Sequence, residues 1–322
     1  MLNMMLSFIF CLSLICMNFI QAEEPAPLLI LNMANEAVLP RNFRTAQDSF
    51  KIVTPVVPSR VGMQTLRLSG SAQFSEKSLN FLLEHFSSPS IIYIIDLRQE
   101  SHGFINGEAV SWYGVKDWAN VGKTRKEIQA LELCLLTQSL DQKNVELSII
   151  AKKDPEALEL PHVTQQKIDV KRISNEKELV KSTGAHYLRL PVTDHVRPTD
   201  ETVDRLVNFI QCLPEAAWVH IHCAAGVGRT TTFMVMVDMI KNAKKVNFQD
   251  IIQRHYLLGG LNLEKQSKSV WKSQLAAERL EFLKNFYYYC QTNQDNFNTS
   301  WSLYSLLKKT NSFRACHQSI VN

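Results

Sequence analysis

The stretch that decides the fold reads Val219-His220-Ile221-His222-Cys223-Ala224-Ala225-Gly226-Val227-Gly228-Arg229-Thr230. Its first residues alternate β-branched and polar side chains, which predicts a strand that ends at Cys223. Two glycines permit a tight loop, and the apolar run 231–240 predicts a buried helix that begins after the arginine. A strand that turns tightly into a helix aims backbone N–H groups and the helix N-terminus at one point, so this segment predicts an anion-binding site.

Cys223 is expected at the floor of this loop. Amide dipoles and Arg229 stabilise a thiolate, so we expect a lowered thiol pKa and a nucleophile that is ionised at neutral pH. Arg229 offers a planar fork for two phosphate oxygens. Thr230 can donate a hydrogen bond to the sulfur, which would make it a better leaving group. The alternative is a buried small hydrophobe, the usual place of a free cysteine.

The loop is not a nucleotide-binding loop, because the lysine of the Gly-x-x-x-x-Gly-Lys-Ser/Thr motif is missing. ATP or GTP binding is therefore not supported. Thiolate attack on a phosphate ester expels an alkoxide, so a second residue must supply a proton. Asp194 is the candidate, because it lies in a loop that follows a predicted strand. The alternative is a turn or helix-cap role, since Thr193 and Pro198 lie nearby.

Outward from the loop, apolar strand-like runs alternate with helical patterns, which predicts an α/β fold with a central sheet flanked by helices. The predicted strands cover 91–97, 147–151, 187–190 and 218–221, and the predicted helices cover 201–213, 231–240 and 270–291. Strand patterns are weak between 104 and 170, which suits a small inserted domain.

The chain has 322 residues and 45% hydrophobic content, enough for one substantial core. Residues 1–22 carry no charge and are followed by two glutamates, which predicts a signal peptide cleaved after Ala22 and export to the periplasm or outside the cell. The alternative is an uncleaved membrane anchor, although the apolar stretch is short for a span. After cleavage we expect no stable membrane association.

Five cysteines remain after this cleavage, an odd number that leaves at least one free thiol. No Cys-x-x-Cys pair or His/Cys cluster with zinc-ligand spacing occurs in the sequence, so no metal and no other cofactor is expected. The net charge of +4 is too small to indicate nucleic acid as a partner.

Several segments together resemble the bacterial protein-tyrosine-phosphatase-like (PTP-like) phytases, also called cysteine phytases, and the resemblance runs from about residue 39 to about residue 301. The matching segments are 96–104 (DLRQESHGF), 111–113 (SWY), 117–120 (DWAN), 192–195 (VTDH) and 222–230 (HCAAGVGRT). The resemblance implies a phosphatase domain over 23–322 with an inserted partial β-barrel contributed mainly by 104–170. It also implies metal-free hydrolysis of myo-inositol hexakisphosphate (phytate) and lower inositol polyphosphates through a phosphocysteine.

Carried over by position, the resemblance makes Cys223 the nucleophile, Arg229 the phosphate clamp and Asp194 the general acid. It implies substrate contacts from the loop and from a set of surrounding residues. These are His222, Ala224, Ala225, Gly226, Val227, Gly228, His195, Lys268, Lys272, Arg44 and Asp117. One departure is Ala224, where phytases of this group commonly have glutamate, and this leaves substrate preference open.

The spacing of Lys265, Lys268 and Lys272 predicts three cations on one helical face. Such a stripe is usually a solvated surface, but beside a phosphate loop it suits a small-molecule substrate with many phosphates. Two other functions stay open at this point. One is a protein tyrosine phosphatase with the same catalytic groups, and the other is a phosphate-binding module without turnover.

Overall fold

The computed structural model describes residues 25–86, 91–154, 156 and 159–310. The predicted signal segment 1–22 lies outside the described residues. None of the helices in the described ranges combines the length and the apolar character that a bilayer span requires.

Two sheets form the framework of the chain. The strands are β1 (Leu28–Met33), β2 (Arg44–Thr45), β3 (Leu68–Ser71), β4 (Ile92–Arg98), β5 (His102–Ile105), β6 (Glu108–Tyr113), β7 (Asn144–Lys152), β8 (His162–Asp169), β9 (Ile173–Ser174), β10 (His186–Val192) and β11 (Trp218–His222). The four strands predicted from apolar runs are confirmed, each within a few residues.

The central sheet has the order β10-β4-β11-β3-β2, with parallel pairing throughout except for the short edge strand β2. Parallel strands end at the same edge of a sheet, and ligand sites of open α/β sheets lie beyond that edge. The segments that follow β4, β10 and β11 contain Glu100, Asp194 and Cys223. The topology therefore brings three distant parts of the chain to one place.

The second sheet has the order β8-β7-β1-β6-β5-β9. Most of its strands come from the part of the chain where strand patterns were weak, but β1 comes from the N-terminal side and β9 from beyond residue 170. The sheet therefore extends past the predicted insert of 104–170 at both ends. A partial barrel and a separate subdomain stay predictions.

Helices cover both sheets, and the mixed α/β class expected from the sequence is confirmed. They are α1 (Glu76–His85), a 3-10 turn (Val115–Asp117), α2 (Arg125–Asp141), α3 (Glu176–Ser182), α4 (Asp200–Gln211), α5 (Gly228–Asn242), α6 (Phe248–Leu257), α7 (Val270–Thr292) and a last helix over 301–310. α5 is apolar almost all round, and it is packed by α4, α6, α7 and the central sheet.

The lysine prediction is wrong in one respect. α7 begins at Val270 with Ser269 as its N-cap, so Lys265 and Lys268 lie in the irregular segment before the helix and only Lys272 lies on it. A helical face cannot place these three cations together. Both Lys265 and Lys268 are exposed.

Candidate active site

The catalytic loop joins the end of β11 to the start of α5 and places Cys223 at its base. Cys223 is 2% exposed, and Thr230 in the first turn of α5 donates a hydrogen bond from Oγ1 to Sγ at 3.2 Å. The loop over 223–227 lies directly before the N-terminus of a buried 15-residue helix. Unpaired N–H groups of such a helix end attract an anion, and the sulfur lies where that anion would be bound.

The outward-facing carbonyl groups of this loop are held by neighbouring residues. Asn42 Nδ2 donates to Ala225 O at 2.8 Å, and Arg44 Nη1 donates to Gly226 O at 2.9 Å. Arg44 Nη2 also donates to Thr231 Oγ1 at 2.9 Å. With these carbonyl groups fixed from outside, the amide N–H groups of the same peptides are free to face inward.

Arg44 therefore lies behind the loop, although the sequence resemblance placed it against substrate. It is 1% exposed, and burial lowers its pKa to about 10 even though the sulfur of Cys223 acts in the opposite direction. Its guanidinium is committed to the loop backbone and to Thr231. This geometry makes Arg44 a support of the loop rather than a side chain open to a ligand.

Gly226 adopts a left-handed conformation with φ of +70°, which costs a non-glycine residue about 1–2 kcal/mol. A Cβ at this position would also meet Ala72 N at 2.2 Å and Ser71 C at 2.4 Å. We therefore expect Gly226→Ala to displace the loop and to lower turnover by about a hundredfold or more.

Gly228→Ala is the matched control, because a Cβ there meets only Arg279 Nη1 at 3.7 Å, an ordinary contact. Phosphate release and urea unfolding of both variants measure the effect. Wild-type turnover in Gly226→Ala would contradict the proposed loop geometry, whereas Gly228→Ala should unfold at a urea concentration close to that of wild type.

Arg229 is oriented by an acidic partner that is distant from it in sequence. Its Nη1 and Nη2 donate to Glu100 Oε2 and Oε1 at 2.7 and 3.0 Å, and Nη1 also donates to Val192 O at 3.1 Å. Burial would raise the pKa of Glu100, but the charges of Arg229 and Arg98 outweigh burial and hold it well below its usual value. Glu100 is therefore an anion that fixes one edge of the guanidinium.

The other edge of Arg229 faces the site. Its buried Nε has no hydrogen-bond partner among the described residues, and it lies 3.2 Å from Asp194 Oδ1 as an ion pair. Burial lowers the pKa of Arg229, yet the charges of Glu100 and Asp194 more than compensate and raise it. The guanidinium is thus permanently charged, with one edge anchored and one edge available to an oxyanion.

Asp194 lies in the loop after β10 and is partly exposed. Its backbone oxygen accepts a hydrogen bond from Trp118 Nε1 at 3.0 Å, and Oδ2 lies 3.2 Å from His195 Nε2. His195 has a positive φ of 66°. Burial and the charges of Lys272 and Arg229 lower the pKa of His195. The charge of Asp194 raises this pKa, but its effect is smaller than their combined effect. The loop therefore presents a carboxyl group over Arg229 and next to an imidazole.

A wall of aromatic rings and lysines stands beside this loop. Trp271 packs edge-on against His195 and Trp118, with ring centroids 5.1 and 5.8 Å apart. The ammonium groups of Lys116 and Lys272 lie 5.0 and 5.1 Å from the Trp271 ring centroid. Cation–π contacts therefore hold both ammonium groups beside the Trp271 ring.

Asp117 lies in the same wall and differs from the other acidic groups. It is 6% exposed, its Oδ1 has no hydrogen-bond partner among the described residues, and its backbone is left-handed with φ of 65°. Burial raises the pKa of Asp117 well above its usual value, and the charges of Glu100 and Asp194 raise it further. Burial and these two charges therefore favour the protonated form of the Asp117 carboxyl.

Comparisons with known proteins show which family the chain resembles. A family model described as PTP-like phytase, inositol hexakisphosphate, matches residues 95–241. The structure of a PTP-like phytase from Bdellovibrio bacteriovorus is 34% identical, with a TM-score of 0.64, and the match covers 88% of this chain and 97% of that chain. The chain belongs to the PTP-like phytase family.

Other members and relatives are longer than this chain. The tandemly repeated PTP-like phytase from Mitsuokella multacida is 36% identical with a TM-score of 0.80, over 88% of this chain and 50% of that chain. A PTP-like myo-inositol phosphatase from the same organism, solved with myo-inositol-(1,3,4,5)-tetrakisphosphate, is 35% identical with a TM-score of 0.79 and the same coverage. Effector protein hopD2 of Pseudomonas syringae pv. tomato is 31% identical over 81% of this chain and 55% of its own length. The chain thus spans about half the length of these three relatives.

A buried polar cluster lies behind the candidate active site. Asp96, Glu176 and His222 have polar atoms within 4.8 Å of one another, a spacing that metal ligands also show. These atoms are occupied by protein partners instead. His102 Nε2 lies 3.2 and 3.3 Å from the carboxylates of Asp96 and Glu176, and Tyr187 donates to Asp96 Oδ2 at 2.7 Å. We interpret the group as an ion-pair cluster rather than a metal site.

The cluster predicts a maximum of stability at mildly acidic pH. Burial would lower the pKa of His102, but the charge of Asp96 outweighs burial and raises it from 6.5 to about 9. Burial would raise the pKa of Glu176, but His222 and the hydrogen bonds to the carboxylate lower it from 4.5 to about 2. The raised His102 stabilises the fold fully below pH 6.5 and less as the pH rises through about 9. The depressed Glu176 stabilises it above pH 4.5 and less as the pH falls towards 2.

We therefore expect the free energy of unfolding to be highest between about pH 4.5 and 6.5 and to decrease on both sides. Urea unfolding at a series of pH values measures it. His102→Asn removes the titrating imidazole, so the decrease between pH 6.5 and 9 should become shallower in this variant. An unchanged alkaline slope in the variant would contradict the assignment.

Proposed function

We propose that the protein hydrolyses phosphate monoesters of phytate and lower inositol polyphosphates through a phosphocysteine. The observation that carries this proposal is that Asp194 Oδ1 lies 3.2 Å from Nε of Arg229. Arg229 lies at the start of the helix that follows the Cys223 loop, and the same helix start holds the Cys223 sulfur through a hydrogen bond. A nucleophile, an oxyanion clamp and a proton donor at one place are what monoester hydrolysis requires.

In the first half-reaction, the Cys223 thiolate attacks phosphorus and forms an S–P bond while the P–O bond to the inositol oxygen breaks. Asp194 gives its proton to the departing oxygen, so an alcohol leaves instead of an alkoxide. The loop amides and the free edge of Arg229 stabilise the charge on the equatorial oxygens.

In the second half-reaction, the Asp194 carboxylate takes a proton from water as the water oxygen attacks phosphorus. The S–P bond breaks, and inorganic phosphate and the Cys223 thiolate are released. Thr230 stabilises the departing thiolate through its 3.2 Å hydrogen bond to Sγ. Both half-reactions therefore use the same carboxyl group in opposite protonation states.

A substrate with many phosphates suits the wall beside the catalytic loop. Lys116 and Lys272 provide positive charge there, and burial favours the protonated form of Asp117, which limits the negative charge beside them. The relative from Mitsuokella multacida that was solved with an inositol tetrakisphosphate supports the same substrate class. Contacts from Lys268 and His195 remain part of the proposal.

Export and metal independence are also proposed. The uncharged apolar segment 1–22, followed by acidic residues, supports cleavage after Ala22 and a mature phosphatase domain over 23–322. N-terminal sequencing of protein recovered outside the cytoplasm tests the cleavage. A mature chain that begins at Met1 would contradict it.

The function is tested by phosphate release from phytate in the presence of a chelator, with separation of the inositol phosphate products. We expect sequential loss of phosphates at an unchanged rate when the chelator is added. A phosphotyrosine peptide is the comparison substrate. A kcat/KM for the peptide far above that for phytate would assign the protein as a tyrosine phosphatase, and no release from either would leave a phosphate-binding module.

Lys272→Met separates substrate binding from chemistry. Methionine keeps an unbranched side chain against Trp271 but removes the charge, so we expect the KM for phytate to increase about tenfold with little change in kcat. The KM for a substrate with a single phosphate should stay near wild type. Lys284→Met on the exposed side of the same helix is the control. Equal effects on both substrates would contradict a role in holding distal phosphates.

A further inference from the structure

Glu176 lies behind the catalytic loop and does not belong to it in sequence. It is the first residue of α3, whose N-cap Asn175 accepts a hydrogen bond from Glu178 N, and it is 1% exposed. Its Oε1 lies 2.6 Å from Nε2 of His222, the residue directly before Cys223. A buried carboxylate thus contacts the side chain adjacent to the nucleophile.

The second oxygen of Glu176 acts on the other side of Cys223. Oε2 accepts a hydrogen bond from Gln73 Nε2 at 2.8 Å. The backbone N–H of the same Gln73 donates to Ala224 O at 3.3 Å. One carboxylate is therefore connected to both neighbours of the nucleophile, directly through His222 and indirectly through Gln73.

A carboxylate can accept from all of these partners together. The two oxygens of Glu176 face Gln73 Nε2, His222 Nε2 and His102 Nε2, the last at 3.3 Å. An ionised carboxylate has acceptors alone, whereas an amide would turn an N–H₂ group towards at least one of these donors. In a buried site, two donors that face each other both remain without a hydrogen bond, and the side chains move apart.

We propose that Glu176 is a positioning residue that fixes both flanks of Cys223 and so keeps the loop amides converged on the sulfur. The inference rests on Cys223 as the nucleophile of the proposed function. It assigns a role to a residue 46 positions away in sequence from His222. Glu176 touches no reacting atom in this assignment and acts through its two partners.

The test is the pH dependence of Cys223 alkylation by iodoacetamide, read on the Cys223 peptide by mass spectrometry. This readout needs no turnover, so it is independent of which substrate the protein hydrolyses. In Glu176→Gln, displaced amides stabilise the thiolate less, and the pH midpoint should rise by about one unit or more. Removal of a negative charge without movement of the loop would lower the midpoint, so the direction of the shift separates the two effects.

Glu132→Gln is the matched control. Glu132 belongs to the same buried cluster and pairs with Arg189 at 2.9 Å, but its contacts are to Arg189 and His102 rather than to the catalytic loop. We expect Glu132→Gln to unfold at lower urea without a shift of the Cys223 midpoint. We expect Glu176→Gln to shift the midpoint and to lower kcat/KM for phytate by about tenfold to a hundredfold.

An unchanged or lowered midpoint in Glu176→Gln would overturn the proposal, as would an equal upward shift in Glu132→Gln. If Glu176→Gln does not fold, Glu176→Asp decides the question. Aspartate keeps the charge but withdraws both oxygens by one methylene, so the midpoint should still rise. A wild-type midpoint in Glu176→Asp would then overturn the proposal.

Discussion

Cys223→Ser is expected to reduce phosphate release from phytate by at least about a thousandfold, because a serine hydroxyl is a far weaker nucleophile than a cysteine sulfur. The loop, Arg229 and the helix N-terminus remain in place, so the variant should still bind phytate. Phosphate release measures the first expectation and titration calorimetry the second. Loss of turnover with retained binding would show that Cys223 is needed for the reaction but not for binding of the anion.

Cys290→Ser is the control for this substitution. Cys290 is as buried as Cys223, at 2% exposure, but it lies in α7 and burial raises the pKa of its thiol well above the usual value. The control should lose stability, because a hydroxyl replaces a thiol in an apolar cluster, and it should keep its turnover. A Cys223→Ser variant within tenfold of wild type would rule out the covalent mechanism.

The strand, loop and helix around Cys223 could be predicted from the sequence because their geometry depends on residues that are adjacent in the chain. Strand, glycines, arginine and helix follow one another within twelve residues, and the hydrogen bond from Thr230 to the sulfur lies within the same segment. Helix α4 was predicted for a similar reason, because the spacing of its apolar residues already marks the face that is buried. Local patterns fix local structure.

The sequence did not reveal which residues support the loop from a distance. Glu100 and Arg229 are 129 positions apart, and nothing in their spacing indicates that they pair. The available signal was the run Arg98-Gln99-Glu100 at the end of a predicted strand. The structure shows that this strand is parallel to its neighbours, so their ends converge at one edge. The resemblance implied a substrate contact for Arg44, whereas the structure shows its guanidinium donating to Gly226 O of the loop.

The prediction that three lysines share one helical face was wrong for a different reason. A spacing of three and four residues indicates a common face only inside a helix, and Ser269 places the helix start after Lys265 and Lys268. The cation that the sequence did not single out is Lys116, which lies over Trp118 and Trp271 in a left-handed backbone conformation. Such a conformation is not visible in residue spacing.

Asp194→Asn is expected to lower kcat for phytate by about a hundredfold to ten-thousandfold, the contribution of a positioned general acid. Asparagine keeps the shape of the side chain and its contact distance to Arg229, so phytate binding should change little. The loss therefore reports proton transfer to the inositol oxygen. Single-turnover measurements on phytate give the rate of this first step directly.

Two substrates with different leaving groups separate the two roles of Asp194, which are proton donor in the first step and base in the second. p-Nitrophenolate departs without protonation, so Asp194→Asn should still form the phosphocysteine rapidly from p-nitrophenyl phosphate. The second step then lacks its base, and water attacks the S–P bond slowly. We expect a burst of one p-nitrophenol per active site followed by slow turnover, with no burst of inositol product from phytate. Wild type should show neither burst nor lag if both steps are fast. Equal slowing of the first turnover on the two substrates would mean that Asp194 positions Arg229 and does not transfer the proton.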